Sequence, residues 1–235
     1  MTKAYRENLL YNGEEKHDSL RPVSFDQFLT INSESAYFLG FFWADGFIKN
    51  YMSGKITHWR IVLEISKRDA IDIFNLMNRI GKWSVQKRKR KRNKKSKFRE
   101  TWGFVTNNKP LFLFLKQNDY VDKSRVEPTK ILSHIPKKFH INFWRGYFDG
   151  DGCCSFMGRG KAISFYSTYK YKWNEIIKLC KSLDLDNYKI YRYAKKYSMS
   201  ALTLYGIKSE PMAKYLLRSK LGLKRKTEKL KQFIK

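Results

Sequence analysis

Cysteine and histidine are scarce in this chain of 235 residues. The three cysteines are Cys153, Cys154 and Cys180, an odd number with two of them adjacent. This pattern argues against a disulfide framework and favours a reducing, intracellular compartment. The four histidines show no spacing typical of metal ligands. Small strand residues are therefore a simpler interpretation of Cys153 and Cys154 than a zinc site.

Long apolar segments are also missing. The longest fully apolar run, 36–44, is too short to span a bilayer. The first eight residues lack the apolar core of a signal peptide. We therefore expect neither a transmembrane segment nor a signal peptide. The abundance of Lys, Asn, Tyr, Phe and Ile is typical of an AT-rich genome, such as that of an organelle or a phage.

Acidic residues are few, because 21 of them face 49 basic residues and leave a net charge of +28. Such a surface repels itself unless it meets a polyanion, and nucleic acid is the leading candidate. An anionic membrane is the rival partner, but no long basic amphipathic segment with a lipidation signal supports it. A hydrophobic content of 42% and an aromatic content of 16% predict a folded chain.

The apolar stretch 35–46 ends abruptly in an Asp-Gly pair. Ser33 followed by Glu34 predicts a helix start with a hydroxyl cap and an acid in the first turn. Gly46 predicts a helix end in the left-handed conformation. Asp45 would then lie at the C-terminal tip of a buried helix, where the helix dipole disfavours a carboxylate. A metal ion is the obvious compensating partner.

The same pattern returns once, at 143–152. Small residues lie four apart in each copy, as Gly40 and Ala44 in the first and as Gly146 and Gly150 in the second. Such stripes allow two helix backbones to approach closely. If the helices pack along them, Asp45 and Asp151 lie side by side, and two adjacent carboxylates need cations to share.

Each copy is followed by the same order of predicted elements, which indicates an internal repeat of α+β class. In the first half, period-two alternation and helical spacing predict strands at 47–52, 59–66, 83–90 and 98–106 and helices at 69–80 and 111–115. In the second half they predict strands at 153–157, 161–167, 188–194 and 199–206, a helix at 171–183 and a helix opened by Pro211. The predicted organisation is an extension at 1–33, repeats at 34–121 and 142–222, a linker at 122–141 and a basic tail at 223–235.

The segments Phe38–Gly46 and Trp144–Gly152 resemble the paired signature of the LAGLIDADG homing endonucleases, in the monomeric form where one chain carries both copies. The resemblance implies two pseudo-symmetric αββαββα repeats packed through the two signature helices. It also implies two antiparallel, saddle-shaped sheets that form the DNA-binding face. The sixth position of the signature is an acid in the family; here it is Trp43 in the first copy and Asp149 in the second.

The family resemblance implies a site-specific endonuclease that cuts both strands of a long pseudo-palindromic duplex and promotes intron or gene mobility. Asp45 and Asp151 match the metal-binding acids, which implies two or more Mg²⁺ ions with Mn²⁺ as a substitute. Lys123 before Ser124 and Lys226 before Thr227 match the lysines near the cleaved phosphates. Lys67 is a third catalytic candidate, and its counterpart in the second repeat is Thr168.

Other interpretations remain open at this stage. The chain could be a LAGLIDADG-type RNA maturase with intron RNA as its partner, or a DNA-binding protein that does not cleave. The two aspartates would then be turn acids at helix ends. The basic run 87–97 predicts a phosphate-binding hairpin tip, with a solvated loop or a nuclear-localisation patch as alternatives.

Strand alternation predicts which side chains face the duplex, and a register error of one residue would swap every assignment. In the first half the predicted DNA contacts are Arg60, Glu64, Ser66, Gln86, Arg88, Arg90 and Arg99, with Val62, Ser84 and Thr101 on the same face. In the second half they are Ser164, Tyr166, Lys189, Tyr191, Tyr193, Thr203 and Tyr205, with Ala201 beside them. The family resemblance adds Lys49, Tyr51, Ser155 and Arg159. Arg and Gln suit major-groove base edges, whereas lysines mainly hold phosphates.

Overall fold

The computed structural model describes residues 28, 30–90, 98–157, 160–193 and 198–234. The predictions for the extension 1–33, for Arg159 and for most of the basic run 87–97 lie outside the described residues. The first-half elements are α1 (Ser33–Asp45), β1 (Gly46–Ser53), β2 (Ile56–Ser66), α2 (Lys67–Ile80), β3 (Ser84–Arg90), β4 (Arg99–Thr106) and α3 (Lys109–Gln117). The second-half elements are α4 (Thr129–His134), α5 (His140–Asp151), β5 (Gly152–Met157), β6 (Gly160–Thr168), α6 (Asn174–Ser182), β7 (Tyr188–Arg192), β8 (Met199–Tyr205), α7 (Glu210–Leu217) and α8 (Lys224–Phe233).

This order confirms the predicted αββαββα repeat and its α+β class. The chain divides into two compact units, one of 1–30 with Gly46–Phe114 and one of Ile31–Asp45 with Leu115–Lys235. The first signature helix therefore belongs to the second unit, together with its copy. The predicted domain boundaries remain a prediction. Among the described residues, no helix combines the length and the apolar character that a membrane crossing requires.

Asn32, the residue before α1, caps the N-terminus of this helix. The side chain of Asn32 accepts hydrogen bonds from the backbone N–H groups of Glu34 (2.9 Å) and Ser35 (3.0 Å). The Ser35 hydroxyl accepts in return from the N–H of Asn32 (2.9 Å). The prediction of Ser33 as the cap is wrong, because this reciprocal pair already satisfies the first free N–H groups of the helix.

The other end of α1 also departs from the prediction. Gly46 is not among the glycines with positive φ, which in the described chain are Gly54, Gly206 and Gly222. The helix instead passes directly into β1, and Gly46 is the first residue of that strand. The left-handed stop predicted for Gly46 is therefore wrong, and this helix end needs another group to satisfy its free carbonyls.

In the first unit, four antiparallel strands form a sheet in the order β1-β2-β4-β3. One face of the sheet is apolar, with Ile61 and Leu63 fully buried. On it, Phe104 lies 6.3 Å from the ring of Phe74 in α2, and Trp59 lies 5.1 Å from that of Phe112 in α3. Helix α2 begins at Lys67, two residues before the predicted start, because the hydroxyl of Ser66 caps it.

The second unit carries the equivalent sheet in the order β5-β6-β8-β7. Helix α6 is shorter than the predicted 171–183, because Trp173 takes a left-handed conformation (φ 71°) immediately before it. The indole of Trp173 is fully buried and donates to the hydroxyl of Ser200 (3.1 Å). That tertiary hydrogen bond holds a backbone geometry that helical periodicity does not reveal.

Helices α1 and α5 pack along their small residues, as predicted. A Cβ on Gly40 would overlap with the carbonyl group of Phe143, and one on Gly146 would overlap with the carbonyl oxygen of Tyr37. Nearer the C-terminal ends, a Cβ on Gly150 would overlap with the side chain of Ala44. The two backbones are therefore in direct contact, which places the ends of both helices together.

Two segments predicted without regular structure contain helices. The linker 122–141 includes α4 and a short 3₁₀ helix, Lys137–Phe139. The basic tail contains α8, whose Leu230 and Phe233 are fully buried, whereas Ile234 beyond it is 40% exposed. Helix α8 therefore packs within the second unit, and Lys226 is its buried lysine.

Candidate active site and nucleic-acid faces

The carboxylates of the two signature copies lie at the joined ends of α1 and α5. Asp45 is exposed and Asp151 is half-buried. A Cβ on Gly150 would stand 3.2 Å from an oxygen of the Asp45 carboxylate, so the missing side chain makes room for it. Both carboxylates are near enough to the ammonium of Lys123 to favour its charged form, against a larger opposite effect of burial.

Lys123 caps the end of α1. Its Nζ donates to the carbonyl oxygens of Trp43 and Ala44 (both 2.7 Å) and of Phe42 (3.2 Å). These are last-turn carbonyls that have no partner within the helix, and a cation there also opposes the negative end of the dipole. Lys123 supplies the cap that Gly46 was expected to provide.

Lys226 takes the equivalent place at the end of α5. Its Nζ donates to the carbonyl oxygens of Phe148 (3.2 Å) and Gly152, and it lies 5.1 Å from the ring centre of Phe148. The side chain is almost wholly buried, with 5% of Lys226 exposed. The two lysines that the family resemblance implied thus lie at equivalent places, one at the end of each signature helix.

Burial and opposite charge compete at these groups. Burial lowers the pKa of Lys123 to about 8, although Asp151 and Asp45 both act to raise it. Burial likewise lowers the pKa of Lys226. Burial raises the pKa of Asp151, and the positive charges of Lys123 and Lys226 oppose that shift. Burial therefore disfavours the charged forms of the Asp151 carboxylate and of both lysines at this site.

The acid at the sixth position, Asp149, is part of the core. It accepts hydrogen bonds from the hydroxyl of Tyr37 (2.7 Å), from the N–H of Leu223 (2.9 Å) and from Nε of Arg145 (3.1 Å). Arg145 in turn donates to the hydroxyl of Thr227 at 2.5 Å. This network joins α1, α5 and the segment that carries Lys226. Burial raises the pKa of Asp149, and the Arg145 guanidinium opposes that shift.

The counterpart of Asp149 in the first copy is also a core residue. Trp43 is 3% exposed, and its ring packs edge-on against Tyr120 at 4.8 Å. The Tyr120 hydroxyl donates to the carbonyl oxygen of Leu39 (2.9 Å). The sequence difference at this position therefore changes how each helix packs rather than the number of carboxylates facing solvent.

An open pocket of about 310 Å³ lies beside Asp151 in the second unit. Its lining combines the Asp151 carboxylate and the Lys123 side chain with hydroxyl groups, from Ser124, Tyr147, Tyr166, Ser167, Thr168 and Ser198. Thr168 donates to the carbonyl oxygen of Ser124. Thr168, the predicted counterpart of Lys67, thus lies at the candidate site.

Lys67 is the first residue of α2 in the first unit. Its ammonium pairs with the carboxylate of Glu100 at 3.1 Å, and the two side chains are 41% and 46% exposed. An exposed pair of this kind is weak and exchanges easily for another anion. The catalytic role of Lys67 remains a prediction.

The donor set suits a hard divalent cation better than zinc. In the part of the chain that the structure describes, no three His, Cys, Asp or Glu residues form a metal-binding group. Burial raises the pKa of Cys154 and of Cys180 to about 12, so both thiols stay protonated. The two carboxylates at the joined ends of α1 and α5 are oxygen ligands of the kind that Mg²⁺ takes, since that ion keeps several waters and needs few protein ligands.

Strand register places the predicted contact positions of the first sheet on one face. Lys49 pairs with Arg60, Glu64 with Gly103, and Gln86 with Gly103 from the other side. The positions that share this face are Lys49, Tyr51, Arg60, Glu64, Ser66, Gln86, Arg88, Arg90, Arg99 and Thr101. The apolar face lies on the other side of the sheet.

The second sheet has the same arrangement. Ser164 pairs with Thr203, and Tyr191 pairs with Ala201. The predicted positions on this face are Ser155, Ser164, Tyr166, Lys189, Tyr191, Thr203 and Tyr205. Tyr193 follows β7, and its ring stacks on Tyr191 at 6.4 Å. Ser164 and Thr203 are buried at 6% and 5% exposure, so they line the floor of the face.

Sequence reasoning missed the network of Arg145, Asp149 and Tyr37. The signal was present, since an arginine and an aspartate four apart in an otherwise apolar helix are spaced for an ion pair. It also missed Asn32 as the cap of α1 and Tyr120 as a buried hydrogen-bond donor. Neither residue belongs to the signature. Asn32 acts on the backbone N–H groups that follow it, and Tyr120 acts on a carbonyl distant in sequence.

The chain shares the LAGLIDADG fold with solved structures. It matches the LAGLIDADG meganuclease I-AabMI bound to uncleaved DNA, with a TM-score of 0.55 and 9% identity over 87% of this chain and 89% of that one. The homing endonuclease I-GzeII in complex with its DNA target gives 0.53 and 11% over 87% and 89%. I-WcaI bound to its DNA recognition sequence gives 0.56 and 14% over 96% and 97%. No family model and no curated protein sequence matches the chain.

Proposed function

We propose that this chain, which has the LAGLIDADG fold, is a site-specific DNA endonuclease of the homing type. The observation that carries the proposal is the pairing of α1 and α5, because it brings together the helix ends that bear Asp45 and Asp151. A lysine caps each of these ends. Structures with this fold were solved with DNA, and each sheet of this chain presents a polar face. The net charge of +28 supplies the attraction to phosphates.

Hydrolysis of a phosphodiester requires an activated water and relief of charge on the phosphate and on the leaving oxygen. Asp45 and Asp151 would hold two or more Mg²⁺ ions, with Mn²⁺ as a substitute, and a bound divalent ion supplies charge neutralisation and a more acidic water. Lys123, with a pKa of about 8, supplies positive charge near the phosphate and can exchange a proton with the solvent of the pocket. Lys226 is proposed to hold the end of α5, and thus Asp151, in place.

Each sheet face is proposed to bind one half of an asymmetric duplex site, with the chain acting as a monomer. Arg and Gln side chains would contact base edges, and the lysines would contact phosphates. Intron or gene mobility follows if the bound site is the place where the coding element inserts. Because many phosphates would be neutralised, the affinity for the site is expected to fall steeply as salt rises.

The test begins with selection of bound duplexes from a randomised DNA library, followed by incubation of the recovered duplex with Mg²⁺. We expect the wild-type protein to cut both strands. Asp45→Asn and Asp151→Asn remove one charge each without a change of size, and each variant should bind the duplex while losing cleavage. Lys178→Ala, on the exposed surface of α6, is the control that should cut normally.

A protein that binds its selected duplex but cuts neither strand with Mg²⁺ or Mn²⁺ would contradict the nuclease proposal and leave a DNA-binding protein. Preference for structured intron RNA over the selected duplex would instead favour a maturase.

A further inference from the structure

The polar face of the first sheet is organised around one glutamine. Oε1 of Gln86 accepts hydrogen bonds from the guanidinium groups of Arg60 (3.1 Å) and Arg88 (2.9 Å). Arg88 also pairs with the carboxylate of Glu64 (3.3 Å), which accepts a further bond from Thr101 (3.0 Å). Because two guanidinium donors occupy the oxygen, the amide nitrogen of Gln86 is turned away from them.

This network contributes little to stability, because its members are partly exposed and ion pairs in contact with water are weak. Its effect is to order long side chains before a partner arrives, which lowers the entropy cost of binding. The groups held in this way are planar guanidinium and amide groups. Their geometry matches the edges of purines, since Arg donates to O6 and N7 of guanine and the amide nitrogen of Gln86 can donate to N7 of either purine.

The equivalent face of the second sheet has different chemistry. The Tyr205 hydroxyl donates to that of Tyr191 (2.9 Å), and Tyr193 stacks on the same ring. Behind them, the hydroxyls of Ser164 and Thr203 bond to each other at 2.9 Å. On the described strands β5 to β8, Lys189 is the single charged residue at a position of this face.

The tyrosine rings are available to a partner, because Tyr193 and Tyr205 are 38% and 41% exposed. The hydrogen bond with Tyr191 and burial raise the pKa of Tyr205 to about 12, so this hydroxyl stays neutral beside phosphates. Neutral rings offer apolar contact, which is the way proteins recognise the methyl group of thymine. Single hydroxyls bond to any base and therefore discriminate poorly.

We propose that the two halves of the DNA target are recognised by different chemistry. The half on the first sheet is read through purine edges, by Arg60, Gln86 and Arg88. The half on the second sheet is thymine-rich and read through methyl groups, by Tyr191, Tyr193 and Tyr205. This inference rests on the proposed DNA binding and adds the base class that each half requires.

Two base analogues separate the two modes of recognition. 7-Deazaguanine and 7-deazaadenine lack the N7 acceptor, and deoxyuridine is thymidine without its methyl group. Each analogue is placed in one half at a time of the selected duplex, and the dissociation constant is measured with wild-type protein in EDTA. We expect the deazapurines to weaken binding roughly ten-fold or more in one half only. Deoxyuridine should weaken binding roughly four-fold per methyl in the other half.

Variants assign each half to its sheet by double-mutant cycles. In Arg88→Ala, we expect the effect of the deazapurines to be lost while that of deoxyuridine persists. In Tyr205→Ala, the effect of deoxyuridine should be lost while that of the deazapurines persists. Arg79→Ala on α2 and Tyr188→Ala on the opposite face of β7 remove the same side-chain types and should change neither effect.

The inference would be overturned if both halves of the duplex responded equally to each analogue. It would also be overturned if Arg88→Ala removed the effect of deoxyuridine and Tyr205→Ala removed that of the deazapurines. Neither result would contradict DNA binding itself. Failure of the selection to enrich any duplex would contradict the proposed function itself, and the two results are distinguishable at the first step. Thermal unfolding of each variant shows whether a lost effect reflects a misfolded protein.

Discussion

The C-terminal ends of α1 and α5 share the same arrangement of a lysine and an aspartate, but the two environments differ. In both, a lysine distant in sequence donates to carbonyl oxygens where the helix ends, and an aspartate is the last residue of the helix. At α1 the aspartate is exposed and the lysine borders an open pocket. At α5 the lysine is 5% exposed, and the buried pair of Arg145 and Asp149 lies behind it. Pseudo-symmetry of the backbone thus coexists with unequal burial of the charged groups.

The comparison of the two copies shows that the motif determines where a side chain packs more strictly than which residue type supplies it. The sixth place of the motif is core in both copies, filled by an aromatic ring in one and by a paired carboxylate in the other. Unequal burial therefore gives the two helix ends different electrostatics.

The largest expected effect comes from breaking the buried pair at α5. Asp149→Leu leaves the charge of Arg145 without its partner, and we expect it to lower the free energy of unfolding by about 3 to 5 kcal/mol. Adding Arg145→Leu removes that charge and should recover most of the loss. Urea denaturation of the single and double variants measures both values. A double variant no more stable than Asp149→Leu would show that the ion pair is not what holds this end.

A second variant tests the contact shared by the two helices. Gly146→Ala introduces a Cβ that overlaps with the carbonyl oxygen of Tyr37. The backbones must separate, and the expected cost is about 2 to 3 kcal/mol in the free energy of unfolding. Gly103→Ala is the control, because its Cβ would have no neighbour nearer than 3.8 Å. Equal stability of the two variants would contradict direct backbone packing.

The two caps should differ in what their removal costs. Lys226→Met removes a buried donor from the carbonyl oxygens of Phe148 and Gly152, and we expect it to lower the free energy of unfolding by about 2 kcal/mol. Lys123→Met should cost about 1 kcal/mol or less, because water in the adjoining pocket can replace the ammonium. Denaturation of both variants at pH 7 gives the comparison. A larger loss for Lys123→Met would reverse the assignment of the buried and the open end.

The smallest effect is a pH dependence at the open end. The pKa of Lys123 is lowered from 10.5 to about 8 on folding. Between these values the unfolded chain binds more protons than the folded one, so this lysine makes stability rise with pH. Comparing wild type with Lys123→Met across this range should show a gain of about 1 kcal/mol in wild type, after screening by water. A constant difference between the two proteins would contradict the lowered pKa.

Much of the fold was readable from the chain. The alternation of residues in 59–66 and the copy at 143–152 predicted strands, faces and the repeat, and the register confirms those faces. Strand positions are local and periodic, so they are visible in one sequence. The start of α6 was wrong by three residues, because a buried indole bonded to Ser200 holds Trp173 in a left-handed conformation.

The sequence by itself determined the two apolar helices with their small-residue stripes, the order of the strands along the chain, the excess of positive charge and the identity of the paired aspartates. These features depend on composition and on period, which each segment carries alone. Only the tertiary structure decided that Lys123 and Lys226 cap the signature helices, and that Asp149 turns into the core towards Arg145 and Tyr37. Burial and hydrogen-bond partners depend on residues distant in the chain, and no local pattern specifies them.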